Sequence, residues 1–269
     1  VFESWKTSSP EAFLSNLEKN QELKSLILEE TPWVLNSQNE SERKKRVGLL
    51  FDLNRMNNEL GKSLKKLQQL QVSNGGWTWF KGMPESRYMT QYIVTGMGHL
   101  DNLGVQNIRK DYKTWNMVQK AVRYLDDRIR EDYNGLKRHK VDLEKDHLNN
   151  NVIQYLYARS YFLKDVQLDS KNKEAYDYYH KQSQKYWLSK SRYMQGMIAL
   201  ALHRDGNIKS GIPVEHGIMA SLKENAINHD ELGMYWKENT GGYYWHQAPI
   251  ETQALLIEAF DEIRDDSES

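Results

Sequence analysis

Residues 74–80 read Asn-Gly-Gly-Trp-Thr-Trp-Phe and lead through Glu85 and Ser86 to Thr90. A second stretch, Thr240-Gly241-Gly242-Tyr243-Tyr244-Trp245, leads to Pro249-Ile250-Glu251-Thr252 in the same way. Each follows a polar segment and precedes an apolar one. Paired glycines permit positive φ and a tight reversal. The aromatics that follow, Trp77 and Trp79 in one copy and Tyr244 and Trp245 in the other, are expected to plug the gaps between neighbouring helices. Pro249 suits the first turn of a helix, where its missing N–H is no loss. Glu85 and Glu251 fall near helix N-termini and favour the positive end of the dipole.

The helices that these turns join come in two alternating kinds. Leu60, Leu64, Leu67 and Leu70 form one stripe, and Trp115, Val118, Val122, Leu125 and Ile129 another, each with polar residues around it. Such helices bury a single face. The segments 88–100, 152–163, 193–202 and 254–260 are apolar almost all round, as in helices packed on several sides. Alternation of the two kinds predicts an outer and an inner ring of helices. Five pairs are expected: 11–28 with 40–56, 58–71 with 86–103, 112–132 with 148–163, 173–187 with 191–203, and 213–227 with 249–261. The expected fold is all-α, an α/α toroid of the (α/α)6 kind, with residues 1–269 as a single domain. An open α-solenoid shares the alternation.

Composition narrows the chemistry. Lys+Arg and Asp+Glu both number 37, so the formal net charge is zero. Nucleic-acid binding usually needs a basic face, and no such partner is expected. The chain has no cysteine, which excludes disulfides, Cys-zinc sites and thiol nucleophiles. No apolar stretch approaches the ~18–20 residues of a membrane span, so no direct membrane insertion is expected. Val1 is not an initiator Met, and the chain reads as a fragment of a larger multidomain protein.

The Gly-Gly-Trp-x-Trp-Phe…Glu-Ser-x-Tyr-x-Thr stretch and Ala248-Pro249-Ile250-Glu251-Thr252-Gln253-Ala254-Leu255-Leu256-Ile257-Glu258-Ala259-Phe260 resemble the thioester domain of bacterial alpha-2-macroglobulin-like proteins. The likeness spans residues 25–262. Related Gly-Gly-aromatic turns occur across terpenoid-cyclase-like toroids. In the macroglobulin family a Pro-Tyr-Gly-Cys-x-Glu-Gln motif precedes an inner helix and closes an internal thioester between Cys and Gln. Here the matching segment is Pro32-Trp33-Val34-Leu35-Asn36-Ser37-Gln38, with Leu35 in place of the Cys and Gln38 retained. Leucine cannot form a thioester, so covalent capture is excluded. Read on its own, 36–40 is a loop with helix N-caps.

The resemblance implies a protease inhibitor of the bacterial cell envelope or periplasm that traps proteases by conformational change. Its expected partners are the other domains of the parent chain and the target proteases. Without the thioester, inhibition would be steric, with no catalytic residue and no cofactor. One alternative is an (α/α) barrel that hydrolyses or cleaves glycans, which needs paired carboxylates at the barrel mouth. Glu85, Glu251 and Asn149–Asn151 are the mouth candidates. The other alternative is a plain helical interaction scaffold.

No metal site is expected. Asp126-Asp127 with Glu131-Asp132 resembles the aspartate-rich magnesium motif of terpene synthases, but Arg130 stands where a third Asp belongs. Acids and bases three or four apart describe a solvated helix face. The eight histidines, among them His139, His147 and His216, form no compact ligand cluster. There is also no Gly-x-Ser-x-Gly elbow, Walker A loop or dinucleotide fingerprint.

Overall fold

The computed structural model describes residues 53–263, apart from 106, 207–212, 231, 232, 238, 240, 243 and 245. Leu35, Gln38 and Trp245 therefore lie outside the described residues, as do the 11–28 helix and most of its 40–56 partner. The chain divides into two compact units, Val1–Gln69 and Leu70–Ser269.

The protein is mostly helical, with eight α-helices among the described residues. The first unit contributes α1 (Leu53–Leu70). It runs straight through Asn57-Asn58, where a break between two helices is expected. Asparagine disfavours a helix only slightly, and neither Pro nor Gly stands there to stop it. The second unit opens on a hairpin, β1 (Trp77–Thr78) against β2 (Glu85–Ser86). Then follow α2 (Arg87–Asn102), α3 (Tyr112–Arg138), α4 (Asn150–Ser160), α5 (Ser170–Tyr186) and α6 (Arg192–Asp205). After α7 (Val214–Glu224) a second hairpin pairs β3 (Ile227–His229) with β4 (Gly233–Tyr235), and α8 (Pro249–Glu262) ends the unit.

Most of these bounds fall within three residues of those read from periodicity. The exceptions are α1, which begins five residues before the expected 58, and α3, which continues six residues beyond Asp132 because Tyr133 extends its buried stripe one turn past Ile129. Ser86, Asp111, Asn149 and Ser191 cap α2, α3, α4 and α6 by accepting a backbone N–H through their side chains.

Helices of one kind pack in a row. α4 lies against α2 and α6, and α6 lies against α8. The other kind covers them: α3 packs on α2, α4 and α5, and α7 packs on α6. Residues 152–160 of α4 are all buried, as are 196–202 of α6. These two helices have a neighbour on each side of the row and a covering helix. α2 and α8, expected to be enclosed all round, keep an exposed flank that includes Tyr92 on one and Ile250 and Ile257 on the other. They stand at the ends of the described row and have one neighbour fewer.

The 74–77 turn ties β1 to both layers. Gly75 has φ +97°, and a Cβ there would overlap the carbonyl oxygen of Lys120 on α3. Gly76 is not left-handed. It is required by crowding, since a Cβ would lie 2.9 Å from Glu85 Cβ and 3.2 Å from the Tyr124 ring. Trp77 is buried, and its backbone N–H donates to Thr90 Oγ1 at 2.9 Å. Gln71 donates to the carbonyls of Gly75 and Met117.

Gly75→Ala is expected to cost about 2–4 kcal/mol, because the strained φ and a backbone overlap add together. Gly82→Ala meets open space at a similar φ of +89°. It should cost only about 1–2 kcal/mol. Equal losses in thermal denaturation of the two variants would show that the Lys120 contact is unimportant.

Candidate functional site

The densest polar convergence among the described residues involves four helices of one row. His99 comes from the last turn of α2, Tyr157 from α4 and Tyr161 from its C-cap, Arg204 from the last turn of α6, and Glu258 and Glu262 from α8. Helix C-termini carry partial negative charge and favour cations. Arg204 answers that field, and two carboxylates one turn apart on α8 answer Arg204.

Glu258 is the hub. Its Oε2 accepts from Tyr157 Oη at 2.7 Å, and its Oε1 accepts from Tyr161 Oη at 2.6 Å and Arg204 Nη2 at 2.7 Å. His99 Nε2 lies 3.4 Å from Oε2 and 2.9 Å from Tyr157 Oη. Arg204 also spans Glu262 with two bonds of 2.6 Å. This is a bidentate fork on a carboxylate, the geometry in which guanidinium binds most strongly. The guanidinium carbon stands 3.9 Å above the Tyr161 ring centroid, a cation–π contact. α2 and α8 are the first and last helices of the described row, yet His99 and Glu258 meet.

Electrostatics fix the protonation states. Burial works to raise the Glu258 pKa, but hydrogen bonds from His99, Tyr161, Arg204 and Tyr157 outweigh it and hold the carboxyl at about 2. Burial pushes both the Tyr157 and Tyr161 hydroxyls up, and the Glu258 charge adds to the push on each. At neutral pH Glu258 is thus a carboxylate and both tyrosines are donors. An acid held at about 2 cannot act as a proton donor at that pH. The cluster is built as a clamp between helices.

A second network is deeper. Asp126 of α3 and Arg159 of α4 have side chains 2% and 1% exposed, with Nε to Oδ1 at 3.0 Å. Tyr155 Oη donates to the same Oδ1 at 2.7 Å, and Arg159 Nη2 donates to the Val166 carbonyl at 2.5 Å. Asp126 therefore does not lie on a solvated face, as its acidic-basic surroundings suggest. Asp127 does pair with Arg130 at 3.1 Å, and Glu131 with Arg128 at 2.6 Å, each three residues away on α3.

A groove of about 610 Å³ is bounded by the end of α3, the segment that follows it, Tyr179 and Lys190. His139, His147, Asp132 and Asp146 line it. Asp132 is taken by Arg87, Asp146 by Lys190 at 2.6 Å, and His147 Nε2 by the Asp142 carbonyl at 2.9 Å. Among the described residues no group of three His, Asp or Glu is arranged to hold a metal ion.

Each of the mouth candidates already has local company. Glu85 accepts from Asn74 at 3.0 Å and backs onto Gly76, close to Tyr124 of α3. Glu251 is exposed in the first turn of α8 and lies near Tyr193 of α6. Asn149 caps α4, and the Asn151 carbonyl accepts from Gln91 of α2. Trp79 is 54% exposed and stacks on Tyr88 at 5.9 Å, so Trp77 plugs the helix gap and Trp79 does not.

Of the second turn, Thr240, Tyr243 and Trp245 lie outside the described residues. Gly242 is required because a Cβ would overlap the Gln247 side chain, while its N–H bonds the Gln247 carbonyl at 3.0 Å. Tyr244 is exposed and stacks on His246.

Sequence reasoning located the site at helix N-termini, and the clamp lies at C-termini. The available signals were Arg159, Arg204 and Glu258, each a charge in or at the end of an apolar run, and the i, i+4 pairs Tyr157/Tyr161 and Glu258/Glu262. No model of a known protein family matches this chain, and no curated protein matches it in sequence.

Proposed function

We propose that this chain is a non-catalytic α/α toroid domain of a bacterial macroglobulin-like protein of the cell envelope, one that hinders proteases sterically and lacks the family's thioester. The observation that carries the reading is the Glu258 clamp. It sits within the 248–260 stretch that resembles the macroglobulin family, and it ties four helices together through side chains of that stretch.

The clamp also bears on mechanism. Its carboxylates are consumed by Arg204 and two tyrosines, so its work is to hold helices together. A glycan-cleaving barrel needs two carboxyls facing a cleft, and both oxygens of Glu258 are instead engaged by Tyr157, Tyr161 and Arg204. Leu35 occupies the position of the thioester Cys, and the chain has no other cysteine to replace it. The domain then serves as a packing body among the other domains of the parent chain, with proteases as the targets of the whole assembly.

The test uses the full-length parent protein and a protease at saturation. Cleavage of a large protein substrate should fall by roughly tenfold or more, while cleavage of a small peptide continues; a factor of ten is a modest demand for steric exclusion. No covalent adduct with the protease should survive denaturation, and methylamine pretreatment should change nothing. Undiminished cleavage of the large substrate would remove the inhibitor role, and a methylamine-sensitive adduct would remove the non-covalent mechanism.

A further inference from the structure

The loop between β1 and β2 is unlike the rest of the described surface. All six of its residues, Trp79-Phe80-Lys81-Gly82-Met83-Pro84, are exposed. Phe80 is 72% exposed, Trp79 54% and Met83 49%. Isolated apolar residues on a surface need no explanation, but three large ones within five positions do. Lys81 is the loop's only charge, and no acid stands within it.

The base of the loop is braced. Trp77 is buried, Asn74 bonds Glu85 across the hairpin, Thr90 Oγ1 accepts from Trp77 N and donates to the Ser86 carbonyl, and Trp79 stacks on Tyr88. The apolar side chains are thus presented on a supported hairpin end, which loses little entropy when something covers them.

We propose that this loop docks shallowly on an anionic lipid surface, with Trp79, Phe80 and Met83 entering the headgroup–acyl boundary and Lys81 meeting the negative headgroups. Two considerations select a bilayer over another protein. A stable protein interface engages about 20–30 residues on each side, and a second copy meeting this loop would gain only a few. A bilayer has no such minimum, because each inserted side chain contributes separately. The composition also fits: Trp is enriched at membrane interfaces, and the loop's one charge, Lys81, has the sign that complements anionic headgroups. No described helix is long and apolar enough to cross a membrane. Docking of this kind needs none, and six residues are too few to register in a hydropathy window of membrane-span length.

The experiment is sedimentation of the full 269-residue chain with vesicles of phosphatidylcholine alone, or mixed equally with phosphatidylglycerol. Wild type should partition onto the mixed vesicles. Phe80→Asp should weaken that partition by roughly tenfold or more, since it removes an inserted ring and adds a repelled charge. Lys81→Gln should weaken it about fivefold, and only where phosphatidylglycerol is present. Tyr112→Asp, at an 80% exposed aromatic on α3, should leave it unchanged and separates the loop from general surface apolarity. Unaltered circular dichroism of each variant shows that the fold persists.

Three outcomes overturn the proposal. One is a wild type that fails to bind mixed vesicles at millimolar lipid; another is a Phe80→Asp variant that binds as wild type does. The third is a wild type that ignores vesicles while Phe80→Asp loosens the chain's association with the rest of its parent protein, which assigns the loop to a protein contact.

Discussion

Replacing Arg159 with methionine is expected to destabilise the fold by about 3–5 kcal/mol, the range for removing one partner of a buried ion pair. Asp126 and Arg159 are both almost fully enclosed. Taking the charges out of water costs free energy that their mutual attraction and hydrogen bonds offset. Methionine fills much of the space but leaves the Asp126 carboxylate with only the Tyr155 hydroxyl. The loss should appear in urea denaturation as a lower midpoint with an unchanged slope.

The pH dependence of this variant has a definite sign. In the native protein burial pushes the Asp126 carboxyl up, and the Arg159 charge with bonds from Tyr155 and Arg159 pulls it back. Without Arg159 only the small restraint from Tyr155 remains, and the folded-state pKa rises further above its unfolded value. A group raised in this way costs stability as pH rises through its folded pKa. The variant should therefore regain stability on acidification, as Asp126 becomes neutral. A loss that stays constant with pH would show that missing packing, and not the uncompensated charge, is responsible.

The second large effect lies at the clamp. Glu258→Gln should cost about 3 kcal/mol near neutral pH, because a carboxyl held near 2 instead of its usual 4.5 is stabilised by ~1.4 kcal/mol per unit. Its side chain is 22% exposed, so solvent screens the interaction only in part. Here the folded-state pKa is depressed. The stabilisation is complete above 4.5 and is lost as pH falls from there through about 2. Wild type and variant should converge in stability across that window. Amide exchange should also quicken at the C-terminal ends of α2 and α8, which the clamp joins. If the two proteins keep a constant difference down to the lowest pH, Glu258 is not the titrating hub.

Much of the helix layout was legible because it is a local property. Period-3.6 apolar stripes mark α3, and continuous apolar runs mark α4 and α6, because side-chain spacing along a helix follows from backbone geometry alone. Pro249 marked the start of α8 for the same reason. Gly75 was readable as a reversal, since only glycine adopts positive φ without strain. The exposure of Trp79 was not readable, because a Trp two residues from a buried Trp77 carries no mark of which one faces the core. Nor was the crowding at Gly242 readable, because the Gln247 side chain that meets it is placed by the fold of the chain.

What the sequence determined alone is the helical class, the buried runs of α4 and α6, and the absence of any cysteine for a thioester. Only tertiary structure decided where the charges meet. Arg204 and Glu258 are 54 positions apart, and Glu258 and Tyr157 101 positions apart. Their contact depends on helices stacking in a row that brings C-terminal ends together, which no local pattern encodes. The same packing decides that Arg159 finds Asp126 across the layer, and that the Trp79-Phe80 end of the first Gly-Gly turn faces out where its letters suggest a plug.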